Sequence, residues 1–183
     1  MDMRSFFALV LPEEGVRFVT VPRQFDKEID GKTKTIHWHQ HYAATSLSAL
    51  VDQAETHPEQ GDEVYFACAA FKQAEYKNAK GKKAYREEDN ALAARSFWLD
   101  LDCGKHKNGK QKDYPDQKSA ILAVVDMCRR VRLPAPLIVS SGNGIHCYWP
   151  LTESIAVDKW KKIARVYRSV LRHFAFKFDP SRD

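Results

Sequence analysis

The stretch Phe97–Cys103, Phe-Trp-Leu-Asp-Leu-Asp-Cys, constrains the fold most tightly. It reads as a strand. Successive strand side chains point to opposite faces, so Trp98, Asp100 and Asp102 share one face and Phe97, Leu99 and Leu101 the other. The apolar face requires a core. The opposite face carries two carboxylates with no basic residue between them, and these repel unless a cation sits between them. Hard oxygen donors suit Mg²⁺ or Mn²⁺. The pattern predicts a divalent-metal site for phosphoryl transfer; the plainer alternative is a pair of solvated acids at a strand end.

The residues after this strand set the expected topology. A polar Gly/Lys/Asn loop, Gly104–Asp113, leads to a helix from about Asp116, where Ala120, Ile121, Val124, Met127, Cys128 and Val131 recur at helical spacing. Leu137–Ser141 and Ile145–Pro150 read as strands joined by Gly142-Asn143-Gly144, a hairpin signal. A second amphipathic helix covers roughly Ile155–Phe174, with Trp160, Ile163, Ala164, Tyr167, Val170, Leu171 and Phe174 on one face. A last strand is expected over Ala175–Asp179. The order β-α-β-β-α-β is the split βαβ arrangement of ferredoxin-like and RNA-recognition-type sheets. Two helices cover one face of such a sheet, and Asp100 and Asp102 belong on the uncovered one. The expected fold class is α+β: an RRM-like catalytic palm over 95–183 packed against an N-terminal α/β lobe over 1–94.

In that lobe, Ser5–Leu11 and Val16–Val21 are apolar runs separated by Pro-Glu-Glu-Gly, which predicts a hairpin. Asp30-Gly31 marks a turn before a strand over Thr33–Tyr42. Ser46 N-caps a helix to His57, and Glu63–Phe71 reads as a buried strand. Residues 72–88 carry six Lys/Arg with no apolar period, which predicts an exposed basic loop.

The 183 residues suffice for one domain or two small packed lobes. Lys and Arg outnumber Asp and Glu by 29 to 24, a basic excess compatible with a polyanionic partner. The N-terminus does not read as a signal peptide and there is no membrane-spanning apolar run, so a cytoplasmic protein is expected. Cys68, Cys103, Cys128 and Cys147 form no Cys-x-x-Cys, so neither a disulfide framework nor a zinc ribbon is signalled.

A second constellation is Ser140-Ser141-Gly142-Asn143-Gly144-Ile145-His146. Alternation puts His146 and Tyr148 on one face and Ile145, Cys147 and Trp149 on the other. If the latter pack on the helices, His146 joins the two aspartates. The glycine turn exposes backbone N–H groups, and Ser141 and Asn143 add donors, so this corner suits phosphate oxygens. A third element is Asp179, at the end of the expected last strand.

These three stretches resemble the ordered motifs of the archaeo-eukaryotic primase superfamily, especially primase-polymerases of phages, plasmids and mobile elements. The stretches are Phe-Trp-Leu-Asp-Leu-Asp-Cys-Gly, Val-Ser-Ser-Gly-Asn-Gly-Ile-His-Cys-Tyr-Trp and Phe-Asp-Pro-Ser-Arg-Asp. The resemblance implies Asp100, Asp102 and Asp179 as catalytic ligands of two Mg²⁺ or Mn²⁺ ions, and His146 as a contact to the incoming nucleotide. Ser141, Gly142, Asn143, Gly144, Lys105 and Arg95 are the further nucleotide-binding candidates, with Lys107 beside them. Implied partners are a single-stranded DNA template, NTP or dNTP, and a C-terminal or separate helicase or primase-accessory domain. Many relatives have Ser where this chain has Gly144, and they continue past the third motif, so a truncated catalytic core is expected.

Two other readings stand beside this one. His37, His39 and His41 share a strand face, the His-hydrophobe-His pattern of rolling-circle replication endonucleases, with Tyr42, Tyr65 and Tyr76 as candidate nucleophiles. The other is a non-catalytic RNA-recognition-type module, with Trp98 and Tyr148 stacking on bases.

Overall fold

The computed structural model describes residues 1–30, 32–59, 63–106, 108–174 and 176. The chain divides into two compact units, Met1–Ala94 and Arg95–Asp183.

In the first unit, the expected strand Ser5–Leu11 is instead a helix, α1, Met3–Val10. A continuous apolar run has neither a period of two nor of 3.6, and a cap upstream of it decides the outcome. Asp2 caps the helix, its carboxylate accepting from the Ser5 N–H at 2.7 Å. Phe7 and Val10 are buried, and the Phe6 and Phe7 rings both meet Phe66. The hairpin therefore forms elsewhere, between β1, Arg17–Ile29, and β2, Lys32–Ala44, paired antiparallel from Arg17↔Ala44 outward. Asp30 at its tip takes φ 52°, a left-handed conformation that Asp tolerates better than most residues.

Helix α2, Leu47–Glu59, is capped by Ser46, whose Oγ accepts from the Ala49 N–H at 3.2 Å. The expected strand Glu63–Phe71 is broken into β3, Tyr65–Phe66, which pairs with β1, and β4, Ala69–Phe71. The basic segment 72–88 is not an open loop. It folds into a small hairpin of β5, Tyr76–Lys77, and β6, Lys83–Ala84, with Gly81 at φ +70° in the turn. Buried Asn90 ties it down, its amide donating to the carbonyls of Gln73 and Tyr85.

Strand β7, Ala91–Asp102, begins in the first unit, where Ala91–Ala94 pair antiparallel with β4, and continues into the second. There it is followed by α3, Gln117–Val131; β8, Leu137–Ser140; β9, Gly144–Ala156; and α4, Val157–His173. The strands lie in the order β7-β9-β8. Strands β8 and β9 form the expected hairpin, Ser140↔Ile145 to Leu137↔Tyr148. The chain as a whole is α+β, with antiparallel sheets and four α-helices.

The core of this unit follows the alternation read from the sequence. Leu99, Leu101, Ile145, Cys147 and Trp149 meet Ala120, Val124, Met127 and Cys128 of α3 and Leu171 of α4. Each large apolar side chain so buried contributes roughly 1.5–3 kcal/mol. Helix α3 begins at Asp116, whose carboxylate accepts from the Ser119 N–H at 2.7 Å, and ends at Arg132 with φ 59°. Ile155 belongs to β9, not to α4, and Ile163 and Phe174 are exposed among the described residues, unlike the rest of the apolar stripe. The expected strand Ala175–Asp179 lies outside the described residues.

Candidate active site

Strand β7 turns Leu99 and Leu101 to the core, so alternation sends Asp100 and Asp102 to the other face, where both are partly exposed. The two carboxylates differ in setting: the Asp100 side chain is 12% exposed and that of Asp102 42%. From β9, His146 arrives beside Asp100, its Nε2 3.5 Å from Asp100 Oδ1. The Tyr148 hydroxyl lies 3.5 Å from His146 Nδ1, at the outer limit of a hydrogen bond. Asp100, His146 and Tyr148 thus form a chain of polar groups on one side of the sheet. On its other side the buried Cys147 thiol is pushed up to about 12, first by burial and then by Cys128 and the Asp100 carboxylate. That thiol stays protonated and neutral.

The glycine turn sits against β7. Cys103 N–H donates to Asn143 O at 3.0 Å, and Gly142 adopts φ +84°. A Cβ on Gly144 would stand 2.4 Å from Leu101 O, so only glycine allows this approach. Ser141 closes the turn, its N–H donating to Gly144 O.

Two residues that the sequence did not single out complete the site. Gln117, the first residue of α3, directs its amide at Ser140 Oγ (2.9 Å), Gly142 O (3.2 Å) and Gly144 O (3.0 Å). It holds the turn by its carbonyls. Lys112 places Nζ 3.1 Å from Asp102 Oδ1. Its loop folds back through Gly104 N–H to Tyr114 O, Lys112 N–H to Gly104 O and Tyr114 N–H to Asp102 O. A cation therefore does neutralise one of the two acids, and it is a lysine from the loop expected to be merely polar.

The other candidates fall as follows. Lys105 is exposed and bridges Gln111 through its backbone. Arg95 is half-buried, and alternation puts it on the side of Leu99 and Leu101, away from Asp100. Asp179 and Lys107 lie outside the described residues. Trp98 is half-buried and stacks on Trp160 at 4.8 Å, and Tyr148 is 4% exposed. His37, His39 and His41 do share one face, opposite Gln24, Pro22 and Thr20. The His41 ring is engaged by Thr20 Oγ1 at 3.1 Å and by Tyr85. Among the described residues no group of three or more His, Cys, Asp or Glu side chains is arranged to hold a metal ion, and no helix is long and apolar enough to cross a membrane.

Two carboxylates on one face nevertheless match what Mg²⁺ takes from a protein, usually one or two acids, the remaining ligands being water and substrate phosphate. Comparison with known proteins brings no match: no protein-family model, no curated protein and no solved structure is similar to the chain.

Proposed function

We propose that the chain is a template-dependent nucleotidyltransferase, a DNA primase or primase-polymerase, built on an RRM-like palm. The observation that carries this reading is the convergence of Asp100, Asp102 and His146 on one sheet face beside a glycine turn that abuts β7. The strand order β7-β9-β8, with a helix after β7 and another after β9, supports the palm. Asp100 and Asp102 hold Mg²⁺ or Mn²⁺, and Asp179 is the third proposed ligand. The bound ions supply activation of the attacking 3′-hydroxyl and neutralisation of charge at the α-phosphate. Phosphoryl transfer asks little covalent chemistry of a protein, so positioning is the chain's main task. Asp100, with its side chain 12% exposed, is the more enclosed of the two acids. His146 lies on the same face with Nε2 3.5 Å from Asp100 Oδ1, and an incoming triphosphate would take that N–H in place of Asp100. The 141–144 turn, pinned by Gln117, presents its donors beside it. The substrates are NTP or dNTP on a single-stranded DNA template.

The test is incorporation of labelled nucleotide on a single-stranded template with Mn²⁺. Wild type extends, while Asp100→Ala and Asp102→Ala lose extension and keep DNA binding. Near-normal incorporation by Asp100→Ala overturns the proposal.

A further inference from the structure

The outer half of the β1–β2 hairpin segregates its side chains in a way that stability does not require. Directly opposed residues of an antiparallel pair lie on the same face. One face therefore carries Arg23 and Trp38, then Phe25 and Ile36, then Lys27 and Lys34. The other carries Pro22 and His39, Gln24 and His37, Asp26 and Thr35, Glu28 and Thr33. Both acids sit on this second face, each accepting from a threonine hydroxyl, Asp26 from Thr35 at 2.7 Å and Glu28 from Thr33 at 3.3 Å. The first face holds four cations, Lys32 continuing it beyond Lys34, with no acid and two large aromatics. Phe25 is 51% exposed and Trp38 46%. Lys27 and Lys34 face each other as like charges, a pairing that weakens a hairpin.

An aromatic pair in water, on a face whose charged side chains are all cations, is costly for a ribbon whose own stability is modest. It is the surface a flexible polyanion with exposed π-faces fits: bases stack on the rings while phosphates meet Lys and Arg. Double-stranded nucleic acid keeps its bases stacked on one another and offers no such faces. Arg23 pairs directly opposite Trp38, and its Nε donates to Gln40 Oε1 at 3.2 Å.

We propose that this face of the β1–β2 hairpin is a binding platform for single-stranded nucleic acid, with Trp38 and Phe25 as base-stacking residues and Arg23, Lys27 and Lys34 as phosphate contacts. It belongs to the first unit and does not depend on the assignment of Asp100, Asp102 and His146.

The test uses the full chain, fluorescence anisotropy and a labelled oligo-dT, in EDTA so that no divalent ion contributes. Wild type binds the single strand at least tenfold tighter than a duplex of the same length. Trp38→Ala with Phe25→Ala weakens binding at least tenfold. Both residues are exposed, and circular dichroism checks that the fold persists. Lys27→Gln with Lys34→Gln lowers the slope of log affinity against log salt by about 1.4, at about 0.7 per phosphate contact. Thr33→Ala, on the opposite face, leaves affinity unchanged. An oligo-U arm separates RNA from DNA as the preferred strand. Equal binding by wild type and the aromatic double variant overturns the proposal. So does a concentration-dependent dimer that Trp38→Ala abolishes without changing DNA affinity, which assigns the face to a second copy of the chain.

Discussion

Gly144→Ala tests how the site is assembled. A Cβ there stands 2.4 Å from Leu101 O, 3.3 Å from Leu101 C and 3.4 Å from Asp102 Cα. Carbon–oxygen contacts settle near 3.3–3.6 Å, so the strands must part by about 1 Å. The obstacle is backbone, not the end of a flexible side chain, and the Cys103–Asn143 hydrogen bond at 3.0 Å ties the strands at this point. Overpacking of this kind typically costs about 1–3 kcal/mol, and the rigid neighbour puts this case near the top of that range. For a chain of this size each 1 kcal/mol moves Tm by about 2–4 °C, so calorimetry should record a fall of about 6–12 °C. The same displacement pulls His146 from Asp100, so nucleotide incorporation falls even at temperatures where the variant is folded. Gly142→Ala is the comparison. It meets open space but sits at φ +84°, so its cost is the left-handed backbone alone, about 1–2 kcal/mol, and Gly142→Asn recovers part of it. A Gly144→Ala protein melting within about 1 °C of wild type would refute the close approach of β9 to β7.

Three further outcomes follow. Lys112→Met frees the Asp102 carboxylate from its ammonium, and because Asp102 is half-exposed the competition is partly screened; Mn²⁺ binding, read by electron paramagnetic resonance, should tighten by about three- to tenfold. Asp116→Asn keeps a cap but removes its charge. The hydrogen bond from Ser119 N–H holds the Asp116 carboxyl below its ordinary range, so the charged cap stabilises above that range and the benefit is lost as pH falls through the lowered value; the Tm difference between wild type and variant should shrink in acid. Burial, then Arg86 and His39, hold His41 below the ordinary imidazole value. Its neutral ring therefore stabilises above that value and the gain is lost as pH falls through the lowered one; His41→Gln should flatten the acid side of the stability profile.

Much of the candidate site was legible because strands alternate. Period two alone put Asp100 and Asp102 on one face and turned Cys147 and Trp149 inward, and the Gly142-Asn143-Gly144 turn follows from backbone chemistry. Lys112 was not legible. Its contact with Asp102 depends on a loop folded by its own main-chain hydrogen bonds, which no side-chain pattern records. Gln117 was hidden likewise, since the first position of a helix accepts most residues. Ser5–Leu11 misled because an unbroken apolar run suits helix and strand alike, and Asp2, one polar residue outside it, decided the matter. The basic segment 72–88 carries no period, yet buried Asn90 organises it through two carbonyls, a long-range bond invisible in composition.

The central claim is that Asp100 and Asp102 share a divalent cation with a nucleotide. A crystal structure of the chain grown with Mn²⁺ and a nucleoside triphosphate, with anomalous difference density collected at the manganese edge, tests it most directly. A peak is expected at metal–oxygen distance from carboxylate oxygens of both residues, with Lys112 displaced and His146 donating to a phosphate oxygen. Manganese bound elsewhere, with the Lys112–Asp102 ion pair intact, would contradict it.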